Sequence, residues 1–107
     1  MRPSRNARDA FGAGFAPSPD TSRWSYAGSL TYANASAVLR KSAEFLLPST
    51  GEVDLSDIGT VDSAAVAVLV ALKRRAAEEQ RPLTFANIPA ALLVLAGLYG
   101  VESIIGS

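Results

Sequence analysis

The residues able to do chemistry are few, and they gather in one stretch: Val53-Asp54-Leu55-Ser56-Asp57-Ile58-Gly59-Thr60-Val61-Asp62-Ser63. It runs straight into an apolar block, Ala64 to Leu72. A hydroxyl beside a carboxylate, ahead of an apolar helix, stands where free backbone N–H groups point outward and negative charge is favoured. Asp62 or Ser63 can cap that helix. Ser63 can also take a phosphate or meet a partner, since a helix N-terminus suits phosphate. Asp54, Asp57 and Asp62 form an acidic cluster, but its spacing is not that of an EF-hand loop. They read as solvated turn carboxylates, not metal ligands.

The rest of the composition narrows the chemistry further. The chain has no histidine and no cysteine. That removes Cys/His zinc sites, disulfides, thiol nucleophiles and every His-based triad. No GxGxxG and no GxxxxGK[ST] occurs, so neither glycine-rich phosphate cradle is present and no cofactor is expected. Ten basic and ten acidic residues cancel, so nothing points to nucleic acid. The longest apolar runs, Ala64 to Leu72 and Ala90 to Leu98, fall far short of the ~20 residues that span a bilayer. Met1 to Pro19 has Arg2, Arg5 and Arg8 but no apolar h-region, so it does not read as a secretory signal.

The elements that position the stretch follow from periodicity. At 107 residues the chain fits one domain. Met1 to Asp20, rich in Pro, Ser, Gly, Ala and Arg, reads as a flexible tail. Phe11 and Phe15 are its bulky apolar residues and could form a docking peptide. Trp24, Tyr26, Gly28 and Leu30 alternate with small residues, which predicts a strand bent or bulged at Gly28. Thr31 or Asn34 can cap the helix that follows. Val38, Leu39, Phe45 and Leu46 share one face of it, and Pro48 stops it.

Val53 and Leu55 predict a short strand that Ser56-Asp57 leaves and Gly59-Thr60 turns. The central helix is expected from about Ser63 to Gln80, apolar all round in its first half. Arg74–Glu78 and Arg75–Glu79 are i,i+4 pairs on a half read as solvated surface. Leu83 to Ala86 predicts a strand. Pro89 to Tyr99 predicts a helix closed by Gly100. Ala91, Leu92, Leu95 and Tyr99 share one face of that helix, expected to meet the sheet. Leu93, Ala96 and Gly97 lie opposite, an apolar small-residue face read as an interaction surface unless another helix covers it. Val101, Ile104 and Ile105 form a last short strand or packed tail. The order β–α–β–α–β–α–β predicts an α/β domain.

Val53-Asp54-Leu55-Ser56, then Val61-Asp62-Ser63-Ala64-Ala65, then an apolar helix ending in basic residues, resembles the STAS domain. The resemblance covers roughly Trp24 to Ile105. It implies a STAS-like small mixed β-sheet with helices packed mainly on one side, over residues 21–107. Leu95-Ala96-Gly97-Leu98-Tyr99-Gly100 and Ala67-Val68-Leu69-Val70-Ala71-Leu72 are similar to the MlaB-type branch. That branch comprises non-catalytic cytoplasmic subunits that bind the ATPase of a phospholipid-transporting ABC system, which maintains outer-membrane lipid asymmetry. The resemblance implies an ABC transporter ATPase subunit as partner, met at the inner face of the inner membrane without direct membrane insertion.

Ser63 matches the hydroxyl that is the phosphoacceptor in the family's anti-sigma-factor antagonists, and Asp62 its acidic neighbour. An antagonist of an anti-sigma kinase, regulated at Ser63, is therefore the alternative. The family's glycine two residues after the hydroxyl is Ala65 here, which stiffens the turn. Together these expectations place partner contact at Ser63, Asp62 and Ala64, and at Leu93, Ala96 and Gly97.

Overall fold

Trp24, Tyr26, Val53, Leu55 and Phe85 are all buried, while Arg23, Ser25 and Thr84 between or beside them are exposed. That period of two means the sheet buries one face and leaves the other polar. In the computed structural model, which describes residues 13–106, four strands form this sheet. They are β1 (Gly14–Pro17), β2 (Arg23–Leu30), β3 (Glu52–Val61) and β4 (Thr84–Ala86), and they lie in that order across it. β1 and β2 are antiparallel; β2, β3 and β4 are parallel. Parallel neighbours need crossovers, and helices supply them. α1 (Ala35–Ser42) joins β2 to β3, and α2 (Ser63–Glu78) joins β3 to β4. α3 (Ala90–Leu98) and α4 (Glu102–Gly106) complete the chain. The described residues thus form a four-stranded mixed sheet with four helices, an α/β fold of the kind a STAS domain has.

Four differences from the expected elements have clear causes. Residues 14–17, expected in the tail, are an edge strand. Phe15 pairs with Tyr26 in register and is buried among aromatic rings, 4.8 Å from Tyr26 and 5.6 Å from Trp24 between centroids. A docking peptide built on Phe15 is thus overturned, since the ring is part of the core; Phe11 lies outside the described residues. β1 and β2 form a hairpin closed by Ser18 to Ser22, with Ser18 N–H on the Arg23 carbonyl, a pairing that composition alone does not reveal.

β3 runs through Gly59-Thr60 to Val61 instead of turning there. Two register shifts against β2, between Ser25 and Ala27 and between Gly28 and Leu30, accommodate the extra residues. They bulge the strand and turn Ile58 back toward the core. The C-terminal segment is the short helix α4, not a strand, with Ile105 buried as its anchor.

The first helix is also shorter than its apolar spacing suggests. α1 ends at Ser42; Phe45 packs against Trp24 at 5.9 Å, but Leu46 is 77% exposed. The Leu46 carbonyl is held instead, accepting from Trp24 Nε1–H at 3.1 Å. Arg75 then fastens this irregular stretch to α2, donating to the carbonyls of Ser42 at 3.1 Å and Phe45 at 2.6 Å. It also pairs with Glu79 at 2.8 Å. The basic half of α2 is therefore not simply solvated surface: Arg75 is a staple. The Arg74 side chain makes no hydrogen bond or ion pair among the described residues, so the expected Arg74–Glu78 pair is absent there.

The start of β3 is set by Gly51, at φ +79. A Cβ there would stand 2.6 Å from the Pro82 carbonyl oxygen, so only glycine fits. Its own carbonyl accepts from Thr84 N–H at 2.7 Å, which aligns β3 with β4.

Candidate functional site

The Asp62-Ser63 corner sits where β3 hands over to α2. Asp62, not Ser63, is the N-cap: its backbone is extended, and Oδ1 accepts from Ala64 N–H at 2.8 Å. Oδ2 accepts from the Tyr32 N–H at 3.0 Å. One carboxylate thus caps α2 and ties down the loop between β2 and α1. That loop is further braced by Asn34, whose Oδ1 accepts from Thr31 N–H and whose Nδ2 donates to the Ser29 carbonyl. Asn34 stands at the N-cap position of α1 but spends its side chain on the loop.

With the capping role taken by Asp62, the Ser63 side chain is exposed and makes no hydrogen bond among the described residues. Of the two expected caps, Asp62 and Ser63, it is Asp62 that fills the position. Tyr32, beside it through the Asp62 link, is 85% exposed. No pattern in the sequence marks Tyr32, because a lone aromatic in a four-residue loop has no period to follow.

From Ser63 a stripe runs down the outer side of α2 through Ala67 and Val70 to Arg74, spaced i, i+4, i+7, i+11. The opposite side, with Ala65, Leu69, Leu72 and Ala76, is buried. Tyr99 and Val101 form a second bank, enclosing a groove of ≈ 390 Å³ with Val66 in its lining. This groove is apolar along its middle and polar at its ends. The expectation of a first half apolar all round missed this stripe; the signal for it is that Ser63, Ala67 and Arg74, on one face of α2, are not large aliphatics.

α3 departs most from the expected faces. Its sequence is apolar all round, so a helical wheel carries little information about which side is inward. Leu92 and Ala96 are fully buried, and Leu95 is half-buried against the core. Ala96, expected on the interaction face, belongs to the core instead, and the reason is that α3 packs on α2 and α4 rather than lying flat on the sheet. Ala91 and Tyr99, expected inward, are exposed. Leu93 is 40% exposed and Gly97 is exposed beside the Glu102 carboxylate of α4. Val94, Leu98 and Tyr99 extend this open surface, and none of the three had been placed on it. Large apolar side chains in such density on one short helix are characteristic of a protein-contacting surface.

Gly100 ends α3 with φ +71. Val101 N–H reaches back to the Ala96 carbonyl at 2.9 Å and Gly100 N–H to Gly97 at 3.1 Å. This Schellman closure sets Tyr99 and Val101 along the groove. Ala64, half-buried, contributes its N–H to the cap and does not line the groove.

Asp54 lies well away from this corner in role. It accepts from Asn87 Nδ2 at 2.8 Å, from Ser56 N–H at 3.0 Å and from Ser56 Oγ at 3.1 Å. The Asn87 hydrogen bond is the first reason its carboxyl sits below the usual range. Asp54 is therefore a brace between β3 and the turn after β4. Among the described residues no group of three or more His, Cys, Asp or Glu could hold a metal ion. No helix among them is long and apolar enough to cross a membrane.

Compared with known proteins, the chain matches a family model described as "Mlab, STAS domain" over residues 14–106. The match begins at β1, in agreement with the edge strand that extends the domain into the expected tail. No curated protein matches the chain in sequence.

Proposed function

The chain belongs to the STAS family, in its MlaB-type branch, and from that premise we propose that it is a non-catalytic subunit that binds the ATPase of a phospholipid-transporting ABC system. In this reading it works on the cytoplasmic side of the inner membrane, held there by its partner, and supports transport that maintains outer-membrane lipid asymmetry. The observation that carries the reading is the open surface formed by the α2 groove and the outer side of α3. Ser63, Ala67 and Arg74 line one part of it; Leu93, Val94, Leu98 and Tyr99 form the other. An apolar surface flanked by polar ends, with an exposed Tyr and Arg, has the make-up of a protein interface core.

Co-purification with the ATPase subunit of such a system tests the reading. Ser63→Arg, which fills the groove mouth, and Leu93→Asp, which charges the α3 surface, should each abolish the complex while circular dichroism stays unchanged. Retention of the complex by both variants would sink it.

A second reading has its own support in the exposed, unbonded Ser63 hydroxyl at the start of a four-turn helix. There the chain is an anti-sigma-factor antagonist controlled by phosphorylation of Ser63. Asp62 beside it is already committed to two N–H groups, so an added phosphate would rely on the remaining N–H groups of the first turn. Incubation with serine kinases of anti-sigma type and ATP, followed by mass mapping, tests it; absence of phosphate on Ser63 with all of them counts against it.

A further inference from the structure

Arg74 closes the lower end of the groove and, among the described residues, is the only charged one that lines it. It differs from its neighbours on α2. Arg75 is spent on Ser42, Phe45 and Glu79, and Lys73 donates to the Leu83 carbonyl. Arg74 is exposed and makes no ion pair among the described residues, even though Glu78 stands one turn away. The upper end carries a neutral hydroxyl, Ser63, and the middle is Val66, Ala67, Val70, Tyr99 and Val101.

Resting on the docking surface proposed above, we infer that the groove takes an amphipathic helix of the partner protein, and that a carboxylate on that helix pairs with Arg74. Length supports a helix. Ser63 to Arg74 is eleven residues of α2, or roughly 16 Å at 1.5 Å per residue, the length of about three turns. Shape supports it as well: Ala67 stands exposed at mid-groove, where a small side chain lets another backbone come close. Charge selects the sign of the polar anchor. A guanidinium at the edge of an apolar groove is matched by a planar carboxylate held bidentately, which sets the register of the bound helix. A basic helix would meet an unpaired positive charge at the same point and be rejected.

The experiment is titration calorimetry of the full chain against the ATPase subunit, with Ala67→Arg, Arg74→Glu and Arg74→Lys. Ala67→Arg should leave no measurable binding. Arg74→Glu should weaken binding at least about tenfold, Arg74→Lys less, and one Glu→Lys or Asp→Lys change on the partner should restore the affinity of the Arg74→Glu variant. If Ala67→Arg abolishes binding but Arg74→Glu stays within twofold, docking stands and the carboxylate anchor is overturned. If Arg74→Glu weakens binding and no single carboxylate reversal on the partner restores it, the pairing is overturned too. If neither Ala67→Arg nor Arg74→Glu changes the affinity, the groove itself is not the docking surface. Thermal melts of all three variants should coincide with the parent, since both side chains are exposed.

Discussion

The carboxylate of Asp62 holds the backbone N–H of Tyr32 at 3.0 Å, across thirty residues of chain. Its second oxygen caps α2 at Ala64. The helix start and the loop that presents Tyr32 therefore move as one unit. Asp62→Ala should cost about 1–2 kcal/mol in urea unfolding, the worth of a strong cap plus one loop anchor. Asp62→Asn keeps one acceptor oxygen and should recover more than half of that loss.

Ala96 and Leu93 sit three residues apart on α3 and should respond unequally to charge. Ala96 is fully buried, so Ala96→Asp places a carboxylate in the core and should cost about 3 kcal/mol or more. Leu93→Asp, on the open side, should cost less than about 1 kcal/mol. Denaturation midpoints for the pair decide the matter; equal losses would mean α3 is rotated from the position described.

Arg75 and Arg74 make a similar contrast on α2. Removing the Arg75 side chain strands the Phe45 carbonyl and leaves the Ser42 carbonyl with the Phe45 N–H alone. Arg75→Ala should lose about 2 kcal/mol, the range for hydrogen bonds to a charged donor in a partly covered site. Arg74→Ala should stay within about 0.5 kcal/mol. Equilibrium unfolding of both, at low and moderate salt, gives the comparison.

Tyr26 sets the alkaline limit. Its side chain is buried, its hydroxyl donates to the Ser29 carbonyl at 2.8 Å, and burial raises its pKa to about 12 from 10.0. The folded state thus holds the proton more tightly than the unfolded chain. The stability linked to it is fully present below pH 10 and is lost as pH rises toward 12, a total of roughly 2–3 kcal/mol. Tyr26→Phe removes the ionising group, so its stability should fall less steeply over that window than the parent's. A parallel decline in both proteins would refute the assignment.

Gln80 follows the C-cap of α2 at φ +56, a conformation that suits glycine better. Its N–H bonds the Ala77 carbonyl at 3.1 Å, and Arg81 N–H the Ala76 carbonyl at 2.8 Å. Gln80→Gly should raise the melting temperature, with a gain of about 0.5–1 kcal/mol. A lower melting temperature would show that the Gln80 side chain contributes contacts worth more than the backbone strain.

The parts of the fold that could be read from the chain are those governed by neighbours in sequence. The β2 alternation, its distortion at Gly28, the α2 helix beginning at Asp62-Ser63 and the turn at Gly100 all follow from local rules. The Val-Asp-Leu-Ser and Val-Asp-Ser-Ala-Ala segments carried the family resemblance for the same reason: a strand, a turn and a cap are specified within a few residues. Among the expected site residues, Ser63 lines the groove, Leu93 and Gly97 are exposed on α3, Asp62 and Ala64 are half-buried at the cap, and Ala96 is buried.

What the chain by itself determined, then, is where the helix starts and that a hydroxyl stands there. Tertiary structure decided which group does the capping, because Asp62 is oriented by Tyr32 from a distant loop as well as by its own helix. It decided the inner face of α3, because nine residues that are almost uniformly apolar have no periodic signal and only packing on α2 and α4 breaks the tie. It brought Phe15 into the core, because an edge strand is specified by the partner it pairs with. And it separated Arg74 from Arg75, adjacent in sequence and alike in charge, because Arg75 reaches the Ser42 and Phe45 carbonyls where α1 ends and Arg74 faces the groove.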